Sequence, residues 1–320
     1  NMNKFKKIGV SALAGSLVAF TANAGEMTVS GGASIGVEHI NGGAANGGKS
    51  WYMGNQLTFT GGGELDNGMN VSLSFVLDQG DDETDTTTGA GNAPFDSHSV
   101  TVSSDSLGTL VFSGEGGSSA QTAIDTTAAG DIWDNGFGIS SPKASEAGNN
   151  SMLYTLPSLM DDLTLKASYS PSGAEKPNSA IAYSLSYSGI EGLTVDYATG
   201  DSETVGSEAD TTTMKVSYAI GSITLAASNT EHDLSSGNDD EVDGYKLSYT
   251  VSDDLSISYG AETHSTAGSS VDEEVEAITV SYTSGGMTLT AASIEAEGID
   301  HTSGSNGDAE RWKLSASFAF

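Results

Sequence analysis

The chain contains no cysteine, which excludes both a disulfide scaffold and a zinc-thiolate site. Basic residues are scarce: 11 Lys and Arg stand against 43 Asp and Glu, for a formal net charge of −32. Nucleic-acid recognition needs basic patches, so such a surface disfavours it and suits an exported protein bathed in cations. Beyond the N-terminus no run of about 18 apolar residues exists, and helical membrane spans are thereby excluded. Histidine is thin as well: His39, His98, His232, His264 and His301 are scattered without metal-ligand spacing.

What the chain does have is glycine, 41 residues of it, and long stretches of alternation. Its 320 residues suggest about two domains by length alone, though β-barrels of this size commonly form one. The N-terminus reads as a secretory signal over residues 1–24. Lys4, Lys6 and Lys7 precede an apolar run from Ile8 to Phe20, and Ala22-Asn23-Ala24 supplies a small-x-small cleavage pattern. The run is apolar on every face, unlike an amphipathic first helix. Residues 25–320 are then expected to form a single β-barrel domain, and the loss of three lysines leaves it more acidic still.

Four segments share one layout: YSLSYSGIEGLTVDY, MKVSYAIGSITLAAS, YKLSYTVSDDLSISY and ITVSYTSGGMTLTAAS. Their common tyrosines, Tyr187, Tyr218, Tyr249 and Tyr282, are spaced 31, 31 and 33 apart, and each closes a strand before a turn of a few residues. The last strand fits the same frame with Phe318 at the tyrosine position. Reading outward from these anchors predicts 16 strands near 26–40, 51–61, 69–79, 95–104, 107–115, 151–156, 161–170, 179–188, 191–200, 210–220, 221–230, 241–251, 253–263, 273–284, 286–296 and 309–320. Most are about nine to twelve residues long, enough to cross a bilayer when tilted. Short turns follow the even-numbered strands, and long Gly-, Asn- and acid-rich loops follow the odd-numbered ones. A soluble sandwich mixes connection lengths at both ends. An up-and-down transmembrane barrel has short periplasmic turns on one rim and long extracellular loops on the other.

The two faces of these strands decide which solvent lies on which side. One face carries Leu57, Phe75, Leu165, Leu225, Leu247, Ile278 and Leu289; the other is Ser, Thr, Gln, Lys and Asp. A core built from the second set does not offset chain entropy, whereas a water-filled lumen needs no such core. The fold class is therefore all-β, a 16-stranded antiparallel transmembrane barrel with its apolar face in lipid. Tyr187, Tyr218, Tyr249, Tyr282 and Phe318 are expected to form an aromatic girdle at the short-turn rim.

Strand parity also sorts the cations. Lys166, Lys215, Lys246, Arg311 and Lys313 fall in phase with the serines and threonines, so they are expected on the pore wall. Lys49, Lys143 and Lys176 are expected in connections. The longest connection, about 116–150, carries Asp125, Asp131, Asp134 and Glu146 and is preceded by Glu115. Connections of such length are usually functional or disordered. Ile124, Ile132, Trp133 and Phe137 argue that this one packs against something. The expectation is that it folds into the barrel as a constriction loop, setting those five acids opposite the lysines; the alternative is an outward projection.

The segment LGTLVFSGEGGSSAQTAID, followed by NNSMLYTLPSLMDDLTLKASYS, resembles the general porins of Gram-negative bacteria, the alphaproteobacterial type in particular. In that family a Gly-Thr-bearing fifth strand leads into the constriction loop, and an Asn-Ser-x-x-Tyr-x-x-Pro pattern opens the sixth, here Asn150, Ser151, Tyr154 and Pro157. The resemblance implies an outer-membrane homotrimer passing small hydrophilic solutes and ions by passive diffusion. It further implies a pore narrowed by an acidic loop facing a basic wall, and no catalytic role. The terminal Phe320 is then the assembly signal read by the barrel-assembly machinery, and lipid with lipopolysaccharide is the surrounding partner. One departure is that the family places several arginines at the constriction, while this chain has Arg311 and must otherwise use lysines. Together with the abundance of acids, this favours weak cation selectivity.

Two motifs match by chance. GAANGGKS, residues 43–50, satisfies the phosphate-loop pattern, but an alternating strand comes next where the mechanism needs a helix. GASIG around Ser34 satisfies the nucleophile-elbow pattern in mid-strand. The competing classes are a secreted soluble adhesin and an outer-membrane hydrolase, the latter hinted at by His98 between Ser97 and Ser99. No cofactor is expected. The acidic clusters DDETD, SETVGSEAD and EHDLSSGNDDE are read as solvated loops, with calcium or magnesium bridging to lipopolysaccharide as a weaker expectation.

Overall fold

The computed structural model describes residues 27–42, 47–78, 96–145, 148–173, 178–203 and 208–320. Sixteen strands run through them: β1 (Met27–Gly42), β2 (Gly48–Glu64), β3 (Asn70–Asp78), β4 (Ser97–Ser104), β5 (Gly108–Glu115), β6 (Ser151–Thr155), β7 (Leu163–Ser170), β8 (Ser179–Ile190), β9 (Leu193–Glu203), β10 (Ala209–Ile220), β11 (Ile223–Leu234), β12 (Asp240–Ser252), β13 (Leu255–Thr266), β14 (Glu273–Ser284), β15 (Met287–Glu297) and β16 (Ala309–Ala319). Each pairs antiparallel with its chain neighbour, and β1 also pairs with β16, so the sheet closes. At the seam Gly31 and Phe320 exchange both backbone hydrogen bonds, at 2.8 and 2.9 Å. Closure leaves no edge of unpaired amides, the condition for a sheet to sit in lipid.

Short turns at 191–192, 221–222, 253–254 and 285–286 join β8–β9, β10–β11, β12–β13 and β14–β15. Gly192 and Gly221 hold φ of +77° and +59°, the sign that tight hairpins demand and side chains resist. The strands run further than alternation suggests at the opposite rim. β11 continues to Leu234, β13 to Thr266 and β9 to Glu203. Acidic residues read as loop are therefore partly in ladder: Glu231 pairs with Glu241, and Asp210 with both Asp201 and Asp233. Beyond the apolar band water bathes both faces of a strand, so alternation fades before the hydrogen bonding does. The DDETD cluster and the signal segment lie outside the described residues.

Residues directly opposed across an antiparallel ladder share a face. The register thus carries one assignment round the barrel: Lys313 opposes Glu38, Lys246 opposes Gly260, and Lys166 opposes Ser184. The apolar face is the exposed one, with Leu225 at 51%, Leu247 at 45%, Ile278 at 55% and Leu314 at 50% relative accessibility. The hydroxyl face is the enclosed one, where Thr211 and Thr213 are fully buried. A water-soluble fold has the reverse arrangement.

Candidate functional site

The connection from β5 to β6 lies inside the barrel. Its neck is pinched by reciprocal backbone hydrogen bonds between Gly117 and Gly148, at 3.1 and 2.9 Å. From there inward-facing side chains hold it at successive points along the wall. Ser168 on β7 accepts from the Ala120 amide at 2.8 Å, and Thr213 on β10 from the Gln121 side chain at 2.8 Å. On β11, Ser228 accepts from the Ala128 amide at 2.7 Å and Thr230 donates to the Thr126 carbonyl at 2.9 Å. On β13 the Glu262 carboxylate accepts from the Thr127 hydroxyl. Within the loop, Ser145 donates its amide to Gln121 and its hydroxyl to Ser119, drawing the returning arm against the outgoing one.

The far half of the loop is seated by apolar contact. Ile132, Phe137 and Ile139 cluster with Val275 and Ala277 of β14, with Ala292, Ile294 and Ala296 of β15, and with Ile299 of the connection after it. Trp133 and Ile40 pack at its margin. Here two large aliphatic side chains, Val275 and Ile294, occupy the inward phase of their strands; an apolar residue out of phase is the sequence signal that locates the loop's landing site. The loop is therefore amphipathic: Ile124, Ile132 and Phe137 are 5, 8 and 1% exposed, whereas Asp125, Asp131 and Asp134 are exposed into the lumen. Partial desolvation beside the loop first, then the charges of Asp125 and Glu262, push the Asp131 carboxyl above the usual carboxylate range.

The lumenal cations do not face this loop across an open gap; they lie beneath and beside it. Lys215 forms a 2.5 Å ion pair with Asp125, and Lys166 donates to the Ala123 carbonyl at 3.2 Å. Lys246 sits under Gly130, where a side-chain carbon would come within 2.7 Å of its ammonium. Arg311, 2% exposed, pairs with Glu38, 4% exposed, and Lys313 stands opposite Glu38 in the ladder. Lys143, from the loop itself, is 4.0 Å from Asp240. Lys49, expected in a connection, lies instead within β2 opposite His39. The Glu262 and His264 side chains, both buried, bring Oε2 and Nε2 to 3.6 Å.

One acid is misplaced by the alternation. Glu115 lies on the outer wall, because Gly114 is an extra residue in the β4–β5 ladder: Ser99 opposes Ser113, but His98 opposes Glu115. Such a bulge reverses the facing of every later residue in its strand. Glu115 consequently lies 4.0 Å from His98, which stacks on Phe75 at 6.2 Å, outside the lumen. Glu146 falls outside the described residues. The rim aromatics Tyr187, Tyr218, Tyr249, Tyr282 and Phe318 all sit at outward positions. A second outward set, Trp51, Tyr183, Tyr245 and Trp312, lies nearer the long-loop rim; Tyr183 and Tyr245 open two of the repeated segments, whereas Trp51 and Trp312 fall outside them. Ser34 lies within β1 and Ser50 within β2, so neither chance motif has its required turn into a helix. Among the described residues no three His, Asp or Glu side chains converge as metal ligands.

A family model of the Gram-negative porin matches residues 9–320. A search of curated proteins returns no significant match. Solved structures share the architecture at low identity. The trimer form of in-vitro folded OmpT, an outer membrane protein of Vibrio cholerae, superposes with a TM-score of 0.69 at 13% identity, covering 93% of this chain and 100% of that one. OmpF of Salmonella typhi in complex with daunomycin gives 0.69 at 12%, covering 92% and 98%. An anion-selective porin from Comamonas acidovorans gives 0.64 at 15%, covering 92% and 99%. The likeness to these structures concerns the fold; the family match over nearly the whole length identifies the chain as a member of the Gram-negative porins.

Proposed function

We propose that the chain forms a passive outer-membrane channel for small hydrophilic solutes and ions, working by diffusion and without catalysis. The observation that carries this reading is the inverted packing: a closed sheet with leucine and isoleucine outside, and hydroxyls, ammonium groups and a carboxylate-bearing loop within. Insertion of the purified, folded barrel into a planar bilayer is expected to give stable stepwise conductance. A folded, detergent-solubilised sample that never conducts contradicts the reading.

Three copies are proposed to assemble through the outer face of β1–β5. That face is largely apolar, with Ile35, Trp51, Met53, Leu73, Val100 and Phe112 exposed, and carries His39 and Lys49 only at the long-loop end of β1 and β2. The His98–Glu115 pair on it is unfavourable against lipid and is better accommodated against protein. The remaining circumference is proposed to meet lipid and lipopolysaccharide, and Phe320, hydrogen-bonded into the seam, to be the residue the assembly machinery reads. Light scattering of the detergent complex tests the assembly: a monomeric mass under conditions that preserve the barrel contradicts it.

A further inference from the structure

The porin reading leaves the charge preference of the channel open, since one fold serves channels of either sign. The distribution of lumenal charge in this chain is lopsided. Every strand-borne lumenal cation among the described residues lies on β7, β10, β12 or β16, the arc that carries the loop. The facing arc from β2 to β5 presents hydroxyls at inward positions, among them Thr58, Thr60, Ser74, Ser99, Thr101 and Ser113, and no lysine or arginine among its described inward residues.

Of the cations on the loop side, Lys215, Lys166 and Arg311 are committed, and Lys313 stands opposite Glu38 in the ladder. Lys215 is held by Asp125 and Lys166 by the Ala123 carbonyl, both on the loop. Arg311 is buried against Glu38. The two carboxylates toward the lumen, Asp131 and Asp134, have no Lys or Arg within salt-bridge distance among the described residues. An ion passing between the loop and the free wall therefore meets carboxylates on the loop and, on the wall, hydroxyls together with the inward carboxylate of Asp78, with no lysine or arginine among the described inward residues there. The acidic loop facing a basic wall, which the family resemblance implied, is replaced here by an acidic loop facing a wall that carries no lysine or arginine among its described inward residues.

We propose that the channel favours small inorganic cations and cationic hydrophilic solutes over anions, with Asp131 and Asp134 as the specificity-determining residues. Lys215 and Lys166 are positioning residues that hold the loop rather than groups that attract anions. The inference rests on the reading of the chain as a channel. Coulombic attraction within a few ångströms of a carboxylate survives at ionic strengths where the screening length is about 10 Å, so the preference is measurable in ordinary salt. Other charges near this part of the loop are Asp125, Glu262, Lys246 beside Gly130 and Arg311 beside Gly136, and each is retained when Asp131 and Asp134 are replaced.

The test is the reversal potential in a potassium chloride gradient, because the two ions have nearly equal mobility in bulk water. The wild-type channel is expected to pass potassium over chloride by at least about threefold near 0.1 M salt. D131N combined with D134N is expected to bring the ratio close to unity while conductance persists, and D134N alone to lie between. Lys215→Met is expected to leave the sign cation-preferring but to add rapid closures, which Lys215→Arg removes. A stable wild-type conductance that is unselective or anion-preferring overturns the proposal alone, as does an unchanged ratio in the double variant. Failure of folded wild-type barrels to conduct overturns the channel reading and this proposal with it.

Discussion

The arc β1–β5 and the arc β7–β16 are built from the same alternating strands, yet they differ on both faces. Inside, the first presents glycine, hydroxyls and the carboxylates of Glu38 and Asp78, while the second carries all the strand-borne lumenal cations of the described residues and, through Ser168, Thr213, Ser228, Thr230 and Glu262, the loop. Outside, the first carries few charges toward the long-loop rim, Lys49 beside His39 and the His98–Glu115 pair. The second changes abruptly to carboxylates: Asp201, Asp210 and Asp233 form one row across neighbouring strands, and Glu276, Glu295 and Glu310 another. Like charges opposed across a ladder are destabilising. Their persistence on one arc, and scarcity on the other, divides the circumference into a wall suited to lipid headgroups with their counter-ions and a wall suited to protein.

The largest effect is expected where the two arcs meet. Arg311 on β16 and Glu38 on β1 form a buried pair across the seam. Breaking the pair from either side, as in Arg311→Ala or Glu38→Ala, is expected to cost about 3–5 kcal/mol, because one buried charge then loses its nearest counter-charge. Urea titration followed by the heat-modified gel shift measures it, and a loss below about 1 kcal/mol marks the pair as solvated. The division itself is tested by moving a charge to the apolar face of each arc. Leu73→Arg on β3 and Leu247→Arg on β12 are each expected to cost up to about 2–4 kcal/mol if they meet lipid. The first is expected to dissociate the assembly and the second to leave it intact; equal effects on oligomeric mass remove the distinction.

Thr127→Val, which deprives Glu262 of a hydroxyl donor, is expected to cost about 1.5–3 kcal/mol in the seating of the loop. Increased open-channel noise is the readout, and a quiet channel contradicts the tether. Acidification sharpens the picture through Asp131. Its carboxyl takes up a proton above the usual carboxylate range, so lowering the pH removes lumenal charge there first. Cation preference is then expected to start falling before ordinary carboxylates titrate, and D131N to abolish that early phase. The smallest effect concerns the outer rows: Glu295→Gln, between Glu276 and Glu310, is expected to stabilise by about 0.2–1 kcal/mol at low salt and less at high salt.

Alternation made the barrel legible because a wet lumen and an oily exterior impose period two on every strand, and the repeat anchored at Tyr187, Tyr218, Tyr249 and Tyr282 marked where strands turn. The same rule misled wherever the constraint lapsed. Gly114 inserts one residue and carries Glu115 to the outside. Above the apolar band Glu231 and Asp240 remain in ladders that no hydrophobic pattern announces. The positions of the lumenal lysines came from parity, but their partners did not. That Lys215 holds Asp125 depends on how a long loop folds back across the barrel, which short-range periodicity does not encode.

The absence of native cysteine makes the central claim directly measurable. Leu247 and Ser248 are adjacent on β12, one facing out and the other in. With each replaced singly by cysteine in lipid vesicles, a charged, membrane-impermeant thiol reagent is expected to modify Ser248→Cys and leave Leu247→Cys unreacted. The opposite pattern, with position 247 labelled and 248 protected, contradicts a barrel that keeps its water inside.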